Sequence, residues 1–354
     1  MQPSAKGPES MSDGAGPIFI IGRQHSGNTM LARCLGQSPE VYSATGEGTF
    51  FEHQDRLARK PSSSRAAAIL RQAEGSGVDV PAGAHAELKR HMRSANGGGG
   101  PAPGKDEPSP GAGEPTPREG DPTPGEMYAR CMGWVARQNG ASRWVQKATS
   151  YVFYVEDILE CFPEARLLFL ARNPMDLAAS MKRRGVWRAV ARMAYGWNKG
   201  VRLARRLAQK HPKNLVVIRY EDFVRAPEEE MRSICSFCGL TFYEETLRIP
   251  HVNRSESPYN QSSSDTGINA SRVGYYDEIL TATEAEAVGA LVDGRLVEEI
   301  YPELSGEAPW SLRGASYAAA LATGAALTTG GQHLRSLLSE PRHALQRVKR
   351  RLTA

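Results

Sequence analysis

Near its N-terminus the chain reads PIFIIGRQHSGNTMLARCL over residues 17–35. An apolar run ends in a glycine, a glycine-rich turn follows, and a helix-like segment begins at about Asn28. In this order of strand, loop and helix, backbone amides and the positive end of the helix dipole can hold one anion. Gly22 and Gly27 have the spacing of the phosphate-loop pattern GxxxxGK[ST], although Asn28 stands in place of the lysine. We therefore predict an anion-binding loop, with an ordinary glycine-rich turn as the alternative.

Apolar runs and amphipathic segments alternate through the rest of the chain. Strands are predicted at 143–146, 166–171 and 215–218, and helices at 28–35, 151–161 and 227–237. Another helix begins at Pro174, and apolar residues three and four apart between Val190 and Ala204 indicate a long one. Strands that alternate with helices predict an α/β fold with a P-loop-type doubly wound, mainly parallel sheet flanked by helices. Ligands bind such sheets at the carboxyl ends of the strands.

Composition divides the chain into segments. Residues 95–125 are so rich in glycine and proline that they offer little apolar surface to offset the cost of ordering, which predicts a disordered insertion. On this basis we expect a flexible N-terminus over 1–16, one domain over 17–304, and a C-terminal tail over 305–354. The tail is expected to be partly helical and basic.

Charge and cysteine content narrow the class of protein. The net charge of +5 suits an anionic ligand. The sequence has no basic patch interleaved with aromatic residues, so it does not predict nucleic-acid binding. Five cysteines are scattered through apparent core segments, which indicates reduced thiols. Cys235 and Cys238 form a CxxC pair with no second pair at zinc spacing, so we expect no metal.

The sequence also gives an expectation for the compartment. No signal peptide or membrane anchor stands out, which favours the cytoplasm; a Golgi location is the alternative if an N-terminal anchor precedes this chain. The basic end of the tail is typical of weak contact with a membrane surface, and a solvated helix is the alternative.

A second motif follows the strand predicted at 166–171. It reads RNPMDLAAS over residues 172–180. The arginine fork of Arg172 and the hydroxyl of Ser180, close to the start of a helix, can hold a phosphate. The alternative is a strand-end arginine and a helical serine that bind nothing.

Together the two motifs resemble those of sulfotransferases that use 3′-phosphoadenosine 5′-phosphosulfate (PAPS). Three further pieces are similar to that family in the expected order: QKAT at 146–149, RYEDF at 219–223, and SRVG at 271–274. The resemblance covers residues 17–60 and 126–304. It is closest to the tyrosylprotein and bacterial-type branches, where a glutamate corresponds to Glu47.

The resemblance implies a cofactor site and no metal. In this family the first loop binds the 5′-phosphosulfate and the second motif binds the 3′-phosphate. The implied cofactor-binding residues are Arg23, Gln24, His25, Ser26, Gly27, Asn28, Thr29, Arg172, Ser180, Tyr220 and Arg272.

The resemblance also implies catalytic roles, and each residue has a plainer alternative. Sulfuryl transfer needs a base for the acceptor, cations for the sulfuryl oxygens and a donor near the leaving group. Glu47 is the expected base and His53 a second candidate; both could instead be ordinary surface residues. Lys147 is expected to balance sulfuryl charge and Ser271 to bond near the leaving oxygen, or they serve as a solvated lysine and a turn cap.

His25 departs from the family pattern and completes the catalytic set. The family usually carries lysine or arginine at this position, directly before the Ser-Gly pair. A phosphate dianion beside the ring should raise the pKa of His25 and make it cationic in the complex. Arg23 is the alternative source of the missing charge.

The acceptor and two competing functions stay open. A small-molecule alcohol, a carbohydrate and a protein tyrosine all offer the hydroxyl that such a site needs. A P-loop nucleotide kinase would share the fold but would need a lysine in place of Asn28, together with magnesium. A non-catalytic nucleotide-binding protein would keep the loop and lose the base.

Overall fold

The computed structural model describes residues 16–60, 62–81, 83–84, 86, 122–249, 268–304 and 311–339. Most of the predicted insertion (95–121) and the basic end of the tail lie outside these residues. The strands are β1 (Ile18–Ile20), β2 (Val41–Glu47), β3 (Arg143–Lys147), β4 (Arg166–Ala171) and β5 (Leu215–Arg219).

Helices connect and flank these strands. They are α1 (Asn28–Leu35), α2 (Phe50–Ala58), α3 (Ser62–Gly75), α4 (Pro124–Gln138), α5 (Val155–Cys161), α6 (Pro174–Arg183), α7 (Val190–Lys210), α8 (Tyr220–Arg225), α9 (Pro227–Cys238), α10 (Tyr276–Ile279), α11 (Ala282–Leu291), α12 (Gly294–Ile300) and α13 (Leu312–Ser339). Short 3₁₀ turns lie at Tyr151–Tyr154, Trp187–Ala189, Glu244–Leu247 and Pro302–Leu304.

The five strands form one sheet in the order β2-β3-β1-β4-β5, and each pairing between them is parallel. Each strand is followed by a helix before the next strand begins, which is the connection that parallel pairing requires. The predicted α/β fold with a doubly wound parallel sheet is therefore confirmed.

Alternate strand residues pack on opposite faces of the sheet. Ile18 and Ile20 face one apolar core together with α1 and α9, whereas Phe19 and Ile21 face the other. All four side chains are fully buried. Because both faces are covered, β1 is apolar throughout, and each large side chain contributes about 1.5–3 kcal/mol through burial.

The ring of Phe19 packs in the second core and contacts elements that carry the site. It makes an edge contact with Trp144 of β3 at a centroid distance of 5.2 Å and with Phe51 of α2 at 6.0 Å. These contacts hold α2, and with it the end of β2, against the centre of the sheet.

Some element boundaries differ from the prediction. The segment 151–161 is a 3₁₀ turn followed by α5, not a single helix. Residues 122–125 belong to the folded part, because Thr123 and Glu126 form a capping box that starts α4 at Pro124. The edge strand β2 was not predicted; its sequence, VYSATGE, contains too few apolar residues to indicate a buried strand.

The C-terminal helix α13 docks through its first turns. Trp187 Nε1 donates a hydrogen bond of 2.6 Å to Tyr317 Oη, and Ala318 is buried. Within the described parts of the chain, no helix has the length and apolar character to cross a membrane. The five cysteines all lie in those parts and form no disulfide.

Candidate active site

The glycines of the loop after β1 are needed for close packing. A Cβ on Gly22 would lie 2.5 Å from Leu170 O, which belongs to the neighbouring strand. Gly27 has φ 93° and would bring a Cβ to 2.7 Å from Cδ2 of Tyr220. The loop can therefore lie against β4 and the end of β5 only with glycine at these positions.

Asn28 closes this loop on itself. Its Nδ2 donates to Gly22 O at 2.7 Å and to Arg23 O at 2.9 Å, and the residue is 7% exposed. The position that carries lysine in the GxxxxGK[ST] pattern is thus occupied by a neutral amide whose two N–H groups bind loop carbonyls. Asn28 stabilises the loop and adds no charge to it.

The start of α1 and Ser26 offer unused hydrogen-bonding groups. The N-cap residue of α1 is Gly27, which has no side chain to accept a hydrogen bond from the first N–H groups of the helix. Ser26 is fully buried, and its Oγ has no hydrogen-bond partner among the described residues. An unsatisfied buried hydroxyl costs about 1–3 kcal/mol, so a ligand oxygen that reached it would be favoured.

His25 is held from two sides by arginines. Arg172 Nη1 donates to the His25 carbonyl at 2.9 Å, and Arg184 Nη1 lies 2.8 Å from His25 Nδ1. The residue as a whole is exposed, but its ring packs among these arginines. Loss of water around the ring, and then the charges of Arg184, Arg172 and Arg23, lower the pKa of His25 to about 4. The cationic His25 expected beside a phosphate stays a prediction for the complex.

Arg23 lies away from the tip of the loop. A Cβ on Gly196 of α7 would meet Arg23 Nη1 at 2.6 Å, so the guanidinium occupies the space that this glycine leaves. The aliphatic stem continues past Gly200, one turn further on. Arg23 therefore packs on α7 in this structure.

Arg172 joins the first loop to the late loop. Its Nη2 donates to Arg272 O at 3.0 Å, and its guanidinium lies over the Tyr220 ring at 4.3 Å from the centroid. Its Nε is buried with no hydrogen-bond partner in the described residues. Arg172 is thus placed among three other sequence-predicted residues: His25, Tyr220 and Arg272.

Several guanidinium groups converge around Tyr275. The guanidinium carbons of Arg172, Arg183 and Arg272 lie 5.9, 5.8 and 5.7 Å from the centroid of this ring. Burial, followed by the charge of Arg183, lowers the pKa of Arg272. Positive charges held this close repel one another, and a bound anion would relieve that repulsion.

Glu47 and Lys147 end neighbouring strands. Their Cα atoms are paired in the β2–β3 register, after an irregularity between Ser43 and Glu47. Glu47 is exposed, and its Oε1 accepts hydrogen bonds from the backbone N–H of Thr149, at 2.7 Å, and from the Thr149 hydroxyl. The sheet therefore places the oriented carboxylate of Glu47 beside the half-buried residue Lys147.

The late loop is held by a carboxylate to which the sequence analysis gave no role. Asp176, fully buried at the start of α6, accepts hydrogen bonds from Gly274 N at 2.9 Å and Tyr276 N at 3.1 Å. Burial raises the pKa of Asp176. Ser271 is exposed on this loop and donates to Asn269 Oδ1.

A second buried carboxylate supports the RNP turn. Glu221 Oε1 accepts a hydrogen bond of 2.9 Å from Asn173 N, and burial raises the pKa of Glu221. Asp176 and Glu221 both lie inside the motifs quoted from the sequence, at 172–180 and 219–223. Their positions inside these motifs were the feature of the sequence that could have identified them as site residues.

The remaining predicted site residues are exposed or half-buried. Gln24 and Thr29 are exposed on the first loop and α1, and Ser180 is half-buried on α6. His53 is half-buried on α2. No group of three or more His, Cys, Asp or Glu side chains in the described residues could hold a metal ion.

Comparisons with known proteins identify the family. The model of the Sulfotransferase family matches residues 17–245, and a search of curated proteins finds no match. Similar solved structures include the sulfotransferase domain of the Synechococcus PCC 7002 olefin synthase, with 19% identity over 89% of this chain and 98% of that chain (TM-score 0.41). A sulfotransferase from Alicyclobacillus acidocaldarius is 20% identical over 65% of this chain and 84% of its own (TM-score 0.38).

A third similar structure is a sulfotransferase from Mycobacterium avium, with 15% identity over 66% of each chain (TM-score 0.36). The match to the family model identifies the family of this chain. That match covers well over half of the chain and includes β1 to β5 with their connecting loops. The chain belongs to the sulfotransferase family.

Proposed function

We propose that this chain transfers a sulfuryl group from PAPS to a hydroxyl-bearing acceptor by in-line attack, with Glu47 as general base. The observation that carries the proposal is the arrangement at the carboxyl edge of the sheet. There a phosphate loop, in which the Ser26 hydroxyl has no hydrogen-bond partner among the described residues, lies beside Arg172. Glu47 and Lys147 end β2 and β3, the two strands on one side of β1.

The residues present fit PAPS. The uncapped start of α1 and Ser26 Oγ suit the 5′-phosphosulfate, because both offer unused donors to an anion. Arg172, Ser180, Tyr220 and Arg272 are assigned to the 3′-phosphate and the nucleoside around it. When bound, PAPS supplies the sulfuryl group that is transferred.

Glu47 is suited to take the acceptor proton. The two hydrogen bonds from Thr149 to Oε1 hold the carboxylate in one orientation. We assign its other oxygen, Oε2, to the acceptor hydroxyl. A base placed in this way contributes about 10²–10⁴-fold to the rate. Lys147, paired with Glu47, balances the charge on the sulfuryl oxygens.

Binding calorimetry tests the donor. Adenosine 3′,5′-bisphosphate should bind more tightly than ADP, and magnesium should not be required. Preference for ATP with magnesium would instead support a nucleotide kinase, although the absence of a lysine at Asn28 argues against one. If the bisphosphate binds, turnover with PAPS is then measured against small alcohols, carbohydrates and tyrosine peptides. Binding without turnover on any of these classes would favour a non-catalytic nucleotide-binding protein.

The acceptor class, a cytoplasmic location, the domain limits and membrane contact by the tail remain predictions from the sequence. A proteolysis map of the ligand-bound protein would test the domain limits directly.

A further inference from the structure

The peptide group between Arg172 and Asn173 is held at both of its polar atoms by buried side chains. The indole N–H of Trp197 donates a hydrogen bond of 2.9 Å to the carbonyl of Arg172. The N–H of Asn173 donates one of 2.9 Å to Oε1 of Glu221. Trp197 is fully buried and Glu221 is 2% exposed, so both bonds are shielded from water. Side chains from α7 and α8 thus fix the plane of one peptide.

This peptide lies between the end of β4 and the start of α6. On its N-terminal side, Ala171 is the last residue of β4 and is paired with Arg219 of β5, so the sheet fixes the chain there. On its C-terminal side, Asn173 is the N-cap residue of α6. Because the backbone has only two soft torsion angles per residue, fixing the peptides on both sides of Arg172 leaves one direction for its Cα–Cβ bond.

The side chain of Arg172 depends on that direction because it makes contacts on several sides. Nη1 donates to the carbonyl of His25 at 2.9 Å, and Nη2 donates to the carbonyl of Arg272 at 3.0 Å. The guanidinium also lies over the ring of Tyr220, at 4.3 Å from its centroid. A planar guanidinium fork recognises phosphate only in a matching orientation, and a fork fixed in advance loses less freedom on binding.

A tyrosine from the C-terminal part of the chain packs beside these two side chains. Tyr301, the C-cap residue of α12, is fully buried, and its ring centroid lies 6.4 Å from that of Trp197. Burial, and then the charge of Glu221, raises the pKa of Tyr301 well above its ordinary value, which agrees with a carboxylate close to the phenol. Tyr301 lies beyond residues 17–245, so part of this packing comes from outside the region that the family model matches.

We infer that Trp197 and Glu221 are positioning residues for Arg172, which hold its backbone so that the guanidinium meets the nucleotide in one direction. The inference deepens the proposed function and rests on it for the assignment of Arg172 to the 3′-phosphate. Neither side chain needs to touch the ligand, because each acts through the 172–173 peptide. A role in the fold alone would lower stability and weaken all nucleotides alike, so the two roles give different results.

A double-mutant cycle tests the inference. Trp197→Phe removes the indole N–H and keeps an aromatic ring, and it is made both in wild type and in Arg172→Ala. Calorimetry measures the binding of adenosine 3′,5′-bisphosphate, adenosine 3′-monophosphate and adenosine 5′-monophosphate to each protein. Trp134→Phe, at a buried tryptophan on α4, is the matched control. Urea unfolding records the stability of each variant separately.

We expect Trp197→Phe to weaken binding of both 3′-phosphorylated nucleotides about 3–10-fold, the equivalent of one hydrogen bond. The 5′-monophosphate should bind as it does to Trp134→Phe. In the Arg172→Ala background, Trp197→Phe should leave binding of the bisphosphate unchanged, because the side chain through which it acts is gone. Equal weakening of all three nucleotides, an equal loss in both backgrounds, or no loss beyond the control would each overturn the inference.

Glu221 provides an independent arm of the experiment. Glu221→Gln keeps an oxygen that accepts from the N–H of Asn173, whereas Glu221→Met removes it. We expect Glu221→Met to weaken the 3′-phosphorylated nucleotides as Trp197→Phe does, and Glu221→Gln to keep most of the affinity. Equal losses in the two variants would show that the charge and not the hydrogen bond matters, which would remove the positioning role of Glu221. If Glu221→Met does not fold, the Trp197 cycle decides the inference alone.

The outcomes separate the inference from the proposed function. If wild type binds the 5′-monophosphate as tightly as the bisphosphate, the PAPS proposal fails. The cycle then still tests the coupling of Trp197 to Arg172 with whichever nucleotide Arg172→Ala weakens, and the inference is overturned if Arg172→Ala weakens none. If wild type binds none of the three nucleotides, the proposed function and the inference both fail.

Discussion

The ring of Tyr220 closes on Gly27 so tightly that a single added methyl group would overlap its Cδ2 at 2.7 Å. This contact joins the phosphate loop to the residue that follows β5. Arg172 lies over the same ring, so Tyr220 contacts both the first loop and the second motif.

Gly27→Ala should destabilise the protein more than a backbone effect alone explains. The left-handed backbone costs about 1–2 kcal/mol for alanine, and the clash adds about 1–3 kcal/mol. Gly140→Ala is the matched control, since Gly140 has φ 75° and nothing lies within 4 Å of its added Cβ. Urea unfolding should show the larger loss for Gly27→Ala; equal losses in the two variants would mean that the Tyr220 ring moves freely.

Glu47→Gln should abolish most turnover and leave nucleotide binding intact. The glutamine keeps the hydrogen bonds from Thr149 but cannot take a proton, so we expect kcat to fall about 10²–10⁴-fold. Glu74→Gln, at an exposed position on α3, serves as the control. Steady-state kinetics with PAPS and an active acceptor measure the effect. Full activity in Glu47→Gln would remove Glu47 as the base and return attention to His53.

Asp176→Asn should loosen the late loop. An amide has only one acceptor oxygen, so Gly274 N or Tyr276 N loses its bond to a carboxylate, at a cost of about 1.5–3 kcal/mol. Hydrogen exchange at the amides of 274 and 276 should accelerate in the ligand-free protein. Asp277→Asn, at an exposed position on α10, should leave both amides protected. Unchanged protection in Asp176→Asn would show that other contacts hold the loop.

His25 should make the ligand-free protein less stable in mild acid. Its pKa in the folded chain is about 4, below the ordinary value of 6.5, so the unfolded chain takes up the proton first. The contribution of His25 is therefore complete above about pH 6.5 and is lost as the pH falls toward about 4. In His25→Asn, which suits a left-handed backbone, Tm should fall less across this range. Parallel falls in the two proteins would contradict the lowered pKa.

The two motifs that we propose to bind phosphate could be located in the sequence because each is local. The loop after β1 and the RNP turn after β4 each lie in one contiguous strand–turn–helix stretch, so hydrophobic pattern and glycine spacing reveal them. Asn28 shows the limit of such patterns. Its identity argued against a kinase, but only the structure shows its amide bonded to the carbonyls of Gly22 and Arg23.

The contacts that the sequence did not reveal join residues far apart in the chain. Arg184 and His25 are 159 positions apart, and no spacing rule connects a helix end to a distant loop. The strand β2 was missed because it lies at the edge of the sheet and mixes small polar residues with apolar ones. For that reason the sequence analysis placed Glu47 in no strand, whereas it ends β2 beside Lys147.

The strand order has a consequence for how such an enzyme can change. Glu47 and Lys147 end β2 and β3 on one flank of the sheet, while the residues assigned to the nucleotide follow β1, β4 and β5 on the other. The connection from β2 to β3, which carries α2, α3 and α4, is also the longest between consecutive strands. A chimera that exchanged this single connection with that of a relative would leave β1, β4 and β5 unaltered. The proposed base and the residues proposed to bind the nucleotide thereby belong to separate flanks of one sheet.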